Sequence, residues 1–163
     1  MACAAGRRSP KPLNPPSPNG SRCDYPVWVT QPAGEAPRRA RPVVLVVDDD
    51  EYVHDALAAA MRSLKPEIIR ATTAAAGLRL AIEHEPDLAI VDLGLPDADG
   101  YSLTRRIRAV AALRDTRILI LTGRLPDSDA ALLAGADAIL AKPFRLNEFL
   151  ATIETLRSQP AGA

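Results

Sequence analysis

From Arg41 onward, apolar and polar positions follow a repeating order. Val43–Val47 is an unbroken apolar run, the pattern of a parallel strand buried on both faces. Val53, Leu57, Met61 and Leu64 then recur at helical spacing and predict one face of an amphipathic helix. Glu67–Ala71 predicts a short second strand. Ala74, Leu78, Ala81 and Ile82 mark a second helical stripe, starting at Thr72 or Thr73 as N-cap. Leu88–Val91 predicts a third strand, and Leu103, Ile107 and Val110 a third helical face. Ile118–Leu121, Ser128–Ala134 and Ala138–Leu140 predict a strand, a short helix and a strand. Leu146, Phe149, Leu150, Ile153 and Leu156 line a final helix. A β-α unit recurring five times in about 120 residues implies an α/β fold, a doubly wound parallel sheet with helices on both faces.

Polar residues stand where the strand runs stop. Asp48 and Asp49 follow the first, Asp92 the third, Thr122 the fourth, and Lys142 follows Ala141 after the fifth. In such sheets ligands bind outside the carboxyl ends of the strands, where strand order reverses. Three carboxylates, a hydroxyl and an ammonium on one rim would suit a divalent cation and a phosphoryl group.

Composition narrows the picture. The 163 residues suffice for one domain with a core of its own. Charge is zero overall but uneven. Residues 1–41 carry seven Arg/Lys against Asp24 and Glu35, leaving 13 basic and 18 acidic side chains in the remainder. An acidic body offers no electrostatic footprint for nucleic acid, so no direct nucleic-acid binding is expected. Eight of the 15 prolines also fall in residues 1–41, which read as a disordered Pro/Arg-rich tail unable to bury enough apolar surface to order itself. Its basic residues, or Tyr25–Val29 as a docking strand, are candidate contacts; an inert tail, or translated upstream DNA, is the favoured reading. Cys3 and Cys23 lie in that tail without metal-ligand spacing. Reduced thiols, no export signal and no membrane-length apolar run together predict a cytoplasmic protein.

With these residues in view, the chain resembles a receiver domain of the two-component response regulators. The matching segments are VVLVVDDDEYV, IVDLGLPDADGYSL, ILILTG and AILAKPF, in that order, and the resemblance covers about residues 42–157. Four motifs in order and spacing are far more specific than any one. The resemblance implies a flavodoxin-like sheet of order 2-1-3-4-5, which sets the first and third strands side by side. It implies that Asp92 is the phospho-acceptor, Thr122 the switch hydroxyl and Lys142 the phosphate-pairing lysine. It also implies Mg2+ on Asp49, Asp92 and the backbone carbonyl of Gly94, with Asp48 holding a metal-bound water. Mg2+ suits such a site because it takes one or two carboxylates and keeps several waters. Asp92 would attack phosphorus to form an acyl phosphate, with charge neutralised by metal and lysine. The donor implied is a histidine kinase or phosphotransfer protein. The chain would then be no enzyme beyond its own phosphorylation and dephosphorylation.

Receivers often carry Tyr or Phe three residues before the lysine; here Ile139 stands there, which puts the usual aromatic coupling in question. Arg124 and Gly94, two residues past Thr122 and Asp92, are expected to flank the phosphoryl group. The resemblance also suggests a cis Lys142–Pro143 peptide. The last residues, 158–163, read as a short tail that holds no output domain. A stand-alone receiver signalling through a protein contact is therefore expected. The face formed by the fourth helix, fifth strand and fifth helix is the expected contact and a candidate homodimer surface.

Two other readings compete. A haloacid-dehalogenase-type phosphohydrolase would use Asp48-Asp49-Asp50, Thr122 and Lys142, but it lacks the late acidic pair and leaves Asp92 without a role. A phosphorylation-independent adaptor would not need the acids, hydroxyl and lysine intact. Asp50, Asp97 and Asp99 read as cap or turn residues. His54 and His84 read as solvated helix residues, and Arg105, Arg106 and Arg108 as a solvated basic face.

Overall fold

The computed structural model describes residues 41–124 and 127–158. The expectations for the N-terminal tail, both cysteines and Tyr25–Val29 lie outside the described residues, as does the C-terminal tail past Ser158.

Five parallel strands form one sheet in the order β2-β1-β3-β4-β5. They are β1 (Val43–Val47), β2 (Glu67–Ala71), β3 (Leu88–Asp92), β4 (Arg117–Thr122) and β5 (Ala138–Ala141). Between and after them run α1 (Glu51–Ala60), α2 (Ala74–His84), α3 (Gly100–Arg108), α4 (Ser128–Ala134) and α5 (Leu146–Ser158). The predicted α/β fold and its strand order are both present. Among the described residues no helix is long and apolar enough to cross a membrane.

Strand alternation divides the core into two layers. Leu45, Val47, Ala89, Val91, Ile118 and Ile120 face a layer that contains α2, α3 and α4. Val44, Val46, Leu88, Ile90, Leu119 and Leu121 face the other, which holds Leu57, Met61, Phe149, Ile153 and Leu156. Successive strand side chains point to opposite faces, so unbroken apolar runs are what a sheet covered on both sides requires.

Four helices begin at a side-chain cap soon after a strand: Asp50 accepts from Tyr52 N, Thr73 from Ala76 N, Asp99 from Tyr101 N and Asp127 from Ala130 N. Each cap satisfies an amide that has no partner within the helix. Asp97 adds a cap from a distance, its two oxygens accepting from Ala74 N at 2.7 Å and Ala75 N at 2.9 Å.

Several expected boundaries and faces move. α1 stops at Ala60; Met61 and Leu64 belong to its cap and a following 3-10 turn, which closes at Lys65 with φ 46°. α3 stops at Arg108, before Val110. In α2 the buried face is Ala74, Gly77 and Ala81, and Ile82 is exposed. A Cβ on Gly77 would lie 2.8 Å from a Val47 methyl, so the helix approaches β1 too closely for a larger residue. Leu146 at the head of α5 is exposed too, since the helix meets the sheet only from Phe149 onward.

Candidate functional site

The register carries the strand ends to one rim. Val47 pairs with Val91, Asp92 with Leu121 and Thr122 with Ala141. Asp48 N donates to Ala71 O and Lys142 N to Thr122 O, so both residues continue their strands by one step. Asp48 is 2% exposed, Asp92 8% and Thr122 0%, while Asp49 turns out to solvent.

Lys142 closes the rim. Its Nζ donates to Asp48 Oδ2 and to Asp92 Oδ1, both at 2.7 Å. The second oxygens are also held: Asp48 Oδ1 accepts from Asp50 N at 3.0 Å, and Asp92 Oδ2 from Gly94 N at 2.5 Å. Burial alone would lower the lysine's pKa, but its hydrogen bonds and proximity to Asp48 and Asp92 outweigh that and hold it above the ordinary lysine value. The Lys142–Pro143 peptide is cis, as expected.

The other expected residues stand nearby in less direct roles. The Thr122 hydroxyl accepts from Arg124 N at 3.1 Å and faces its own loop. A Cβ on Gly94 would lie 3.0 Å from Asp92 Oδ2, so a side chain there would crowd that carboxylate. Ile139 is half-buried against the α2–α4 core layer, away from the rim.

Asp48 and Asp92 converge on the Lys142 ammonium, and Asp49 lies exposed next to Asp48. Among the described residues no group of three or more His, Cys, Asp or Glu side chains forms a metal cage. Two buried carboxylates repel unless a cation lies between them, and here the ammonium supplies it. The donor chemistry still suits Mg2+: hard carboxylate oxygens, with Asp49 exposed one residue from the pair.

Two further residues stand differently from their sequence reading. His54 is buried, its Nε2 2.8 Å from Asp48 O. Its spacing with Leu57 and Met61 was the available signal, since all three lie on one helical face. Arg108 is only partly solvated; it donates to Gly135 O, Thr116 O and Asp137 Oδ2. Asp97 is a cap, as expected, though of α2 rather than of the helix that follows it, which no local pattern reveals. Asp50, Asp99, Arg105 and Arg106 stand as expected.

Comparison with known proteins gives a consistent result. A family model described as the response regulator receiver domain matches residues 44–154. The transcriptional regulatory protein KdpE of Mycobacterium tuberculosis H37Rv is 39% identical over 113 residues, covering 68% of this chain and 49% of KdpE. PhoP of Escherichia coli K12 is 38% identical over 121 residues, covering 73% of this chain and 53% of PhoP. The chain thus spans about half the length of these curated relatives. Among solved structures, the receiver domain of a Pseudomonas aeruginosa PAO1 sensor histidine kinase, with magnesium in its active-site cleft, is 30% identical. It covers 74% of this chain and 100% of that one, with a TM-score of 0.67. A CheY-like receiver domain protein from Methanospirillum hungatei JF-1 is 31% identical, covering 72% and 95%, with a TM-score of 0.65.

Proposed function

The chain belongs to the response regulator receiver domain family, and from that premise we propose that it takes a phosphoryl group onto Asp92 from a phosphohistidine on a partner protein. The observation that carries this reading is the bridge from Lys142 Nζ to Asp48 and Asp92, a cation and two acids on one rim. An Asp92 carboxylate oxygen attacks phosphorus, the O–P bond forms as the P–N bond breaks, and the departing imidazole nitrogen takes up a proton. Little covalent work falls to the protein, so positioning and charge neutralisation dominate. Lys142 stays within reach of the transferred oxygens and exchanges its contact with Asp92 for one with the phosphoryl group. Mg2+, held by Asp49, Asp92 and the Gly94 carbonyl with Asp48 on a bound water, would neutralise further charge on those oxygens. Thr122 turns its hydroxyl from the Arg124 loop to a phosphoryl oxygen, which draws the start of α4 inward.

The output on this reading is a protein contact through α4, β5 and α5. Leu132 and Leu133 support it: they are 72% and 85% exposed on α4. As a whole the chain acts as a phosphorylation switch and turns over no separate substrate.

The test uses Mg2+ with acetyl phosphate. Intact-mass spectrometry should find one added phosphoryl group on the wild type and none on Asp92→Asn. Equal labelling of both would sink the proposal. Sustained phosphate release from a monoester, lost in Asp48→Asn but kept in Asp92→Asn, would favour the phosphohydrolase instead.

A further inference from the structure

We infer that His54 is a positioning residue for the acid corner: its imidazole holds the Asp48 carbonyl and thereby sets the Asp48–Asp49 peptide from which both acids project. This rests on the phosphoryl-transfer reading above and extends it to a residue one turn inside α1.

The imidazole is 2% exposed and its Nε2 lies 2.8 Å from Asp48 O. A carbonyl oxygen only accepts, so Nε2 carries the proton and donates. Nδ1 is then a buried acceptor, and it has no partner among the described residues. Packing alone does not account for this choice. His54 shares its helix face with Leu57 and Met61, and a third apolar side chain would fill the same volume without burying an unpaired nitrogen. What the histidine supplies beyond volume is the one hydrogen bond to Asp48.

That bond holds the one polar group of Asp48 that its other contacts leave untied. Asp48 N is tied to Ala71 O, and its carboxylate to Asp50 N and Lys142. Its carbonyl is the remaining polar group, and rotation of the following peptide would swing Asp49. Asp49 is exposed and its carboxylate is unbonded among the described residues, so only backbone geometry aims it. A group that orients a ligand from behind tunes metal affinity without touching the metal.

Three proteins test this: wild type, His54→Gln, whose amide nitrogen reaches the place of Nε2, and His54→Met, which keeps the volume without the donor. Urea unfolding first fixes conditions under which each is folded. Mg2+ affinity is read by isothermal titration calorimetry, and Asp92 labelling by acetyl phosphate and intact mass. His54→Met should bind Mg2+ about tenfold more weakly, and label more slowly in step. His54→Gln should remain close to the wild type. Wild-type affinity in folded His54→Met overturns the inference, as does an equal loss in His54→Gln. Should His54→Met fail to fold, His54→Asn takes its place: its amide stops short of Asp48 O, so it should show the same loss, and wild-type affinity there overturns the inference equally. A wild type that binds Mg2+ but accepts no phosphoryl group ends the functional reading alone, and the Mg2+ comparison still judges His54.

Discussion

Without the Lys142 ammonium, Asp48 and Asp92 would face each other buried and uncompensated. Lys142→Met should therefore destabilise the domain by on the order of 3 kcal/mol near neutral pH, measured by urea unfolding, with Mg2+ restoring part of the loss. The wild type's own pH dependence follows from the same contact. The lysine's folded-state pKa lies above its unfolded value, despite the opposing effect of burial. Its contribution is thus fully present below the unfolded pKa and is lost as pH rises through the folded one. Unfolding midpoints that hold steady into strong alkali would contradict this. At this scale much was legible in the sequence. The five rim residues could be read because each follows an apolar run, and strand direction then fixes where it lies. His54 and Arg108 could not be read as easily, because a polar side chain on a helix is solvated by default until a tertiary partner claims it. For Arg108 the claimants are Thr116, Gly135 and Asp137, all in other elements.

Between elements, one contact connects the loop after β3 to a neighbouring helix. Asp97 lies five residues past Asp92 and caps α2, so the loop after β3 is tied to that helix. Its amide bonds from Ala75 and Ala74 hold the carboxyl below the ordinary aspartate range. The stabilisation is present above the unfolded pKa and disappears as pH falls through the folded one. Asp97→Ala should lower the melting temperature at neutral pH, and calorimetry in acid should find the gap to wild type closing. A gap that is constant with pH would place the effect elsewhere. Gly100, at the other end of the loop, leaves little room: a Cβ there would collide with Asp92 O. Element boundaries were legible where a run had sharp edges. β1, β2 and α4 match their expected limits because polar, Pro or Gly residues border them. α1 was read too long because its apolar spacing continues through the 3-10 turn, where Met61 and Leu64 still face the core. In α2 only Ile82 falls off the expected face: Ala74 and Ala81 are buried and Leu78 packs on the core, while Gly77 completes that face without a side chain for a hydrophobic pattern to register.

Across the whole molecule, stability is spread unevenly. Phe149, Ile153 and Leu156 anchor α5, and Leu103 and Ile107 anchor α3, all essentially buried. α4 buries only Ala131 and Ala134 and turns two leucines outward. Local opening follows buried contact, so hydrogen exchange should be fastest among the helices in α4 and slower in α3 and α5. Equal protection would show that α4 is held by more than its two alanines. A loosely held helix beside the Thr122 loop is also the kind of element a small displacement can move.

The lysine bridge has a consequence for assembly of the chain. It joins residues 94 positions apart, so it cannot form until the fifth strand has docked. Any partly assembled sheet that lacks this strand keeps its acid tips in mutual repulsion, and the late-arriving amine rewards only the finished arrangement. The chemistry of the rim thereby doubles as a checkpoint on completion of the fold.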